Sequence, residues 1–100
     1  MNTELLVNTL QTSGRVSGEQ VSRWTDAAGL MAALDAIGRD GANAVVKIDG
    51  ARPDGAVYTI VISGAQLGEA FFRKDGSDLL ALLRDAIEFY RSVAWTEQSQ

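Results

Sequence analysis

The run Val57-Tyr58-Thr59-Ile60-Val61-Ile62 constrains this chain more than any other segment, because it is apolar on both of its alternating faces. A strand of that kind belongs at the centre of a sheet, with a neighbour on each side and cover above and below. Two flanking runs supply the neighbours. In Asn43 to Asp49, the residues Ala44, Val46 and Ile48 alternate with Asn43, Val45, Lys47 and Asp49, the pattern of a strand with one buried face. The third run is Glu69 to Lys74. Asp49 to Gly55 holds Pro53 and two Asp-Gly pairs, which makes it the hairpin connection. The expectation is an antiparallel meander over Asn43 to Lys74.

Helical spacing brackets this meander. Leu79, Leu80, Leu83, Ala86, Ile87 and Tyr90 recur at helical spacing opposite Asp78, Arg84, Asp85, Glu88 and Arg91. Leu82, Phe89 and Val93 widen the apolar face, so this helix is expected to be buried on more than one side, from Ser77 as N-cap to about Ala94. A second helix is expected from Thr25 or Asp26, with Leu30, Met31, Leu34 and Ile37 inward and Gly38 as its stop. Before it, Glu4 to Leu10 suits a short helix, and Arg15 to Trp24, with Val16, Val21 and Trp24, suits an extra edge strand. The fold class is therefore α+β: a three-stranded, or with that edge strand four-stranded, antiparallel sheet with helices packed on it. Its core order is helix, strand, strand, strand, helix, in one domain over residues 1–100.

Composition narrows function by subtraction. The chain has no His and no Cys, which removes the Ser-His-Asp and Cys-His nucleophile pairs, imidazole and thiolate zinc sites and redox dithiols. The expectation is a protein that is not an enzyme and carries no cofactor and no metal. Four Asp-Gly dipeptides, at Asp40, Asp49, Asp54 and Asp75, read as turns and not as calcium ligands, since no Asp-x-Asp-x-Asp-Gly loop with a distal Glu is present. Gly64-Ala65-Gln66-Leu67-Gly68 lacks the Gly-Lys-Ser/Thr ending of a phosphate loop and reads as a bend. No stretch reaches the roughly 20 apolar residues of a membrane span, so the expectation is a cytoplasmic chain with no membrane partner.

Thirteen acidic residues against nine basic ones give a net charge of −4, which favours a basic protein partner over a nucleic acid. The helix, three-strand, helix order is similar in outline to the double-stranded RNA-binding domain. That family grips phosphates with lysines at the start of its last helix, whereas here Lys74 is followed by Asp75, Gly76, Ser77 and Asp78, so no nucleic acid is expected.

Pairing the strands places Val45, Lys47, Thr59, Val61 and Phe71 on the sheet face opposite Ala44, Val46 and Ile48, a surface neither wholly apolar nor wholly polar. The N-terminal segment with Leu5, Leu6 and Leu10 is the expected cover, and a partner protein or second copy the alternative. Trp24 is expected in the core, and Trp95 as an exposed anchor.

A small acidic domain without catalytic side chains resembles the immunity proteins of bacterial toxin-immunity systems, including contact-dependent growth inhibition. That resemblance implies tight binding to a cognate toxin domain, such as a basic nuclease, and blockage of its active site or substrate surface. It makes Asp49, Asp54, Asp75 and Asp78 the contacts for Lys or Arg, with Tyr58 and Trp95 as aromatic anchors. The other expectation is a homo-oligomeric structural or regulatory module, a homodimer for instance, pairing through the half-apolar sheet face.

Overall fold

The computed structural model describes residues 1–95. Three helices, α1 (Thr3–Thr12), α2 (Gly18–Thr25) and α3 (Ala28–Arg39), precede strands β1 (Asn43–Ile48), β2 (Tyr58–Ser63) and β3 (Phe71–Gly76). A 3-10 turn at Ala65–Leu67 links β2 to β3, and α4 (Leu79–Ala94) ends the described chain. The sheet is a β1-β2-β3 meander, antiparallel throughout, so the α+β class and the helix, three-strand, helix core order stand as expected.

The double-sided β2 is central for the reason its sequence gives: Thr59, Ile60 and Ile62 are buried, and Tyr58, Val61 and Ser63 half-buried. Register aligns Val46, Ile60 and Lys74 across the sheet, and likewise Ala44, Ile62 and Phe72. This face meets α4 and α3. Ile37, Ile60, Ile62, Leu83 and Tyr90 are its fully enclosed side chains, each contributing about 1.5–3 kcal/mol of hydrophobic burial. Leu79, Leu82, Leu83, Ala86, Tyr90 and Ala94 give α4 a buried face of more than one stripe.

Several local expectations are corrected. The N-cap of α4 is Asp78, whose side chain accepts from the Ala81 N–H; Ser77 stays outside the helix. Gly38 is inside α3, which runs one residue further to Arg39, and the stop is Gly41 at φ +98°, where its N–H donates to the Gly38 carbonyl. Asp75-Gly76 is not a turn but the end of β3. A Cβ at Gly76 would come within 3.3 Å of the Leu82 side chain, a tight contact that Leu82 would have to yield by a few tenths of an ångström, so glycine suits the close approach of β3 to α4. Met31, expected inward, is 49% exposed, and Val93 is exposed as well.

The largest correction concerns residues 15–24. They form no edge strand, and the sheet keeps three strands. Ser17 opens α2 with a complete capping box: its hydroxyl accepts from the Gln20 N–H at 3.0 Å, while the Gln20 side chain accepts from the Ser17 N–H at 2.8 Å. Two orphan donors satisfied locally decide for helix over strand. At the end of α1 the Arg15 N–H returns to the Leu10 carbonyl and the Gly14 N–H to that of Gln11, the paired bonds that close a helix into a turn. The two helices nevertheless bury no residue, and Leu5, Leu6 and Trp24 are exposed, so Trp24 is not core. The radius of gyration, 15.8 Å, exceeds the roughly 13 Å of a close-packed 100-residue domain, in keeping with two N-terminal helices that bury no residue.

Candidate functional site, the uncovered face of the sheet

Both helices that pack on the sheet lie on the same side, and α1 buries no residue, so the N-terminal segment does not supply the expected cover. The second face is open. Register arranges it in rows across β1, β2 and β3: Asn43, Ser63, Phe71; then Val45, Val61, Arg73; then Lys47, Thr59, Asp75. Phe71 is 63% and Val45 52% exposed, and with Val61 between them they draw an apolar diagonal over the face. Charged side chains gather at the end nearest the hairpin.

Arg52 organises that charged end. Half-buried itself, it reaches from the β1–β2 loop across the sheet, its Nη1 3.3 Å from Asp75 Oδ2 and its Nη2 donating to Thr59 Oγ1 at 3.3 Å. Thr59 donates in turn to Asp75 Oδ1 at 2.5 Å, and Arg73 lies 3.9 Å from the same carboxylate. These contacts, the Thr59 hydroxyl first and the two guanidiniums after it, hold the Asp75 carboxyl below its ordinary range against a smaller opposing effect of burial. Thr59 is the one polar residue of the described chain that is buried, and Arg52 is what covers it. The result is a preordered rim of Lys47, Arg52, Arg73 and Asp75 beside an apolar strip.

The residues expected to bind a partner divide among three places. Asp75 is on the open face. Asp49 and Asp54 are in the β1–β2 loop, accepting from the N–H groups of Ala51 at 3.1 Å and Ala56 at 3.0 Å, so both shape the hairpin; Asp49 also lies 3.9 Å from Lys47 Nζ. Tyr58 and Asp78 are on the other side of the sheet, where they line a shallow cavity of about 270 Å³ with Arg23, Trp24 and Leu80. Trp95 is not an exposed anchor: half-buried, it packs edge-on to Tyr90 at 5.1 Å and its indole N–H donates to Asp40 Oδ2 at 2.7 Å. Tyr90 donates to that same oxygen at 3.0 Å; burial first, and Asp40 second, raise its phenol above the ordinary value.

Sequence reasoning passed over Arg52 and Asp40. Arg52 is one residue of a polar hairpin with nothing in its spacing to mark it, and Asp40 is 50 and 55 positions from the donors it joins. Among the described residues no group of three or more His, Cys, Asp or Glu is placed to hold a metal ion, and no helix is long and apolar enough to cross a membrane. Comparison with protein-family models, with curated proteins and with solved structures found no match for this chain.

Proposed function

We propose that this chain acts by binding another protein through the open face of its sheet, as a non-catalytic inhibitor of the immunity type whose partner is a cognate toxin domain. The observation that carries this reading is the uncovered face itself, an apolar strip of Phe71, Val61 and Val45 bordered by charged groups already held in place. An apolar centre with a polar rim is the anatomy of a recognition surface, and groups ordered before contact lower the entropic cost of association. The net charge of −4 favours a basic partner, and among the described residues no ion pair engages Asp54 in the β1–β2 loop, which leaves its carboxylate for Lys or Arg across the contact; Asp78, on the helix side of the sheet, is not part of this surface. Asp75 belongs to the interface in a different way. It would meet a partner cation only by exchanging Arg52.

The test is calorimetric titration of the purified chain against the product of the neighbouring gene, beside a Val45→Arg, Phe71→Ser double variant. Both side chains are exposed, so the variant keeps its circular dichroism spectrum. Its affinity should fall on the order of 100-fold if the two positions are contact-centre residues. Wild-type binding with undiminished affinity in the folded double variant would move the interface elsewhere, and absence of any binding would remove the inhibitor reading.

A further inference from the structure

The two edges of the sheet are built differently. β3 ends its run with Arg73, Lys74 and Asp75, charges of the kind that discourage strand-to-strand pairing. β1, Asn43-Ala44-Val45-Val46-Lys47-Ile48, carries a single charge, no proline and no bulge, since its six residues pair with β2 in unbroken register. Its free edge can be assigned residue by residue. The Asp49 N–H donates to the Val57 carbonyl at 2.7 Å, so the odd-numbered residues of β1 direct their main-chain groups toward β2. Ala44, Val46 and Ile48 direct theirs away from it. Val46 and Ile48 are 37% and 64% exposed. Along this edge, on the helix side, runs a groove of about 640 Å³ whose lining includes Met31, Asp35 and Arg39 of α3 with Ala44, Val45 and Val46.

We infer that the occupant of this edge is a second copy of the chain, paired antiparallel through β1 about a two-fold axis at Val46. The sequence of β1 is self-complementary in that register. Val46 meets Val46 of the second copy, and Ala44 meets its Ile48, all on the helix-side face; these are the hydrogen-bonded pairs, giving about six main-chain hydrogen bonds. On the open face Val45 stands opposite Lys47 of the second copy, and Asn43 opposite its Asp49, an amide donor against a carboxylate. No like charges stand directly opposite one another, which is the condition an isologous interface has to meet. The groove adds no net charge against a second copy, because its acid and its base, Asp35 and Arg39, are paired at 2.7 Å within one chain. The apolar side chains of the second β1 lie along the groove under Met31. The product is a six-stranded sheet with its helices on one side and both open faces joined on the other. This inference is independent of the partner proposed above, because it uses the strand edge and leaves the open face free.

Sedimentation and light scattering on the purified chain, at a concentration on the order of 100 μM where contacts smaller than a standard interface are populated, should show twice the monomer mass of 10.7 kDa. Val46→Pro is the decisive variant, because the N–H it removes points away from β2 and costs the monomer no ladder bond. It should give a folded monomer. Val46→Lys and Val46→Glu, which set like charges on the axis, should each be monomeric alone and dimeric when mixed in equal amounts, a rescue that also serves if the proline variant does not fold. Val46→Cys, in a chain with no native cysteine, should cross-link on oxidation, since the two Cα atoms of a hydrogen-bonded pair are about 5.5 Å apart. A wild-type monomer at that concentration overturns the inference. So does a dimer that survives the Val46 variants, or one that yields instead to Phe71→Ser alone, a position on the far strand β3, which would place it on the open face.

Discussion

Asp40 is the hinge of the strongest stability prediction, because one exposed carboxylate satisfies two aromatic donors from the end of α4. Tyr90 is fully enclosed and donates to Asp40 Oδ2 at 3.0 Å, while Trp95 donates to the same oxygen at 2.7 Å. Tyr90→Phe deletes one donor and leaves the acceptor with Trp95 and solvent, so it should cost about 1.5–2 kcal/mol, the lower part of the range for hydrogen bonds to charged groups. Asp40→Ala is the harsher change, because it takes the acceptor from the hydroxyl of a tyrosine that is fully enclosed. The lost bonds and the uncompensated desolvation of that hydroxyl should together cost about 2–4 kcal/mol, after a return of roughly 0.3–1 kcal/mol from removing a negative charge at the C-terminus of α3. Asp40→Ala should then cost at least about 1 kcal/mol less on a Tyr90→Phe background, where no hydroxyl is left to strand. Urea titrations followed by tryptophan fluorescence and circular dichroism measure all four corners of the cycle. Strict additivity would refute the reasoning, since it would mean that the phenol finds another partner when Asp40 is gone.

Leu83→Ala removes a fully buried side chain from the centre of α4 and should cost about 2–5 kcal/mol, enough to unfold much of a small domain; a loss below about 1 kcal/mol in urea would show the helix to be peripheral. Because Asp75 is held below the ordinary carboxylate value, its contribution is complete above that value and is lost as pH falls through the lowered one; Asp75→Asn should flatten the acid limb of a stability-against-pH curve, and an unchanged limb would sink the assignment. Tyr90 has the opposite sign: its phenol is raised, so the stability it contributes is present below about pH 10 and is lost as pH rises through the raised value, a loss that Tyr90→Phe should abolish in alkaline titrations. Deleting residues 1–16 removes α1, which buries nothing, and should shift the urea midpoint little; a large shift would mean that α1 is part of the cooperative unit.

What the sequence by itself determined is the order and kind of the elements from residue 28 onward, because the signals there are local. Alternation marks β1, a run apolar on both sides marks β2, and the spacing of Leu79, Leu83, Ala86 and Tyr90 marks α4. The face that β1 shows to the helices follows from the same two-residue period, while the residue-to-residue register across the sheet is set by the folded structure. Residues 15–24 are the exception: the spacing of Val16, Val21 and Trp24 suits a strand, while the reciprocal Ser17 and Gln20 caps, also local, decide for helix. Tertiary structure alone decided the rest. Whether α1 covers the sheet, whether Trp24 or Trp95 is enclosed, and which carboxylates are engaged are questions about residues tens of positions apart. Asp40 gains its two donors, and Thr59 its covering Arg52, only once the chain has folded back on itself. Periodicity states which face of an element is apolar; what lies against that face depends on where the other elements stop, and here they stop short of one side of the sheet and one edge of it.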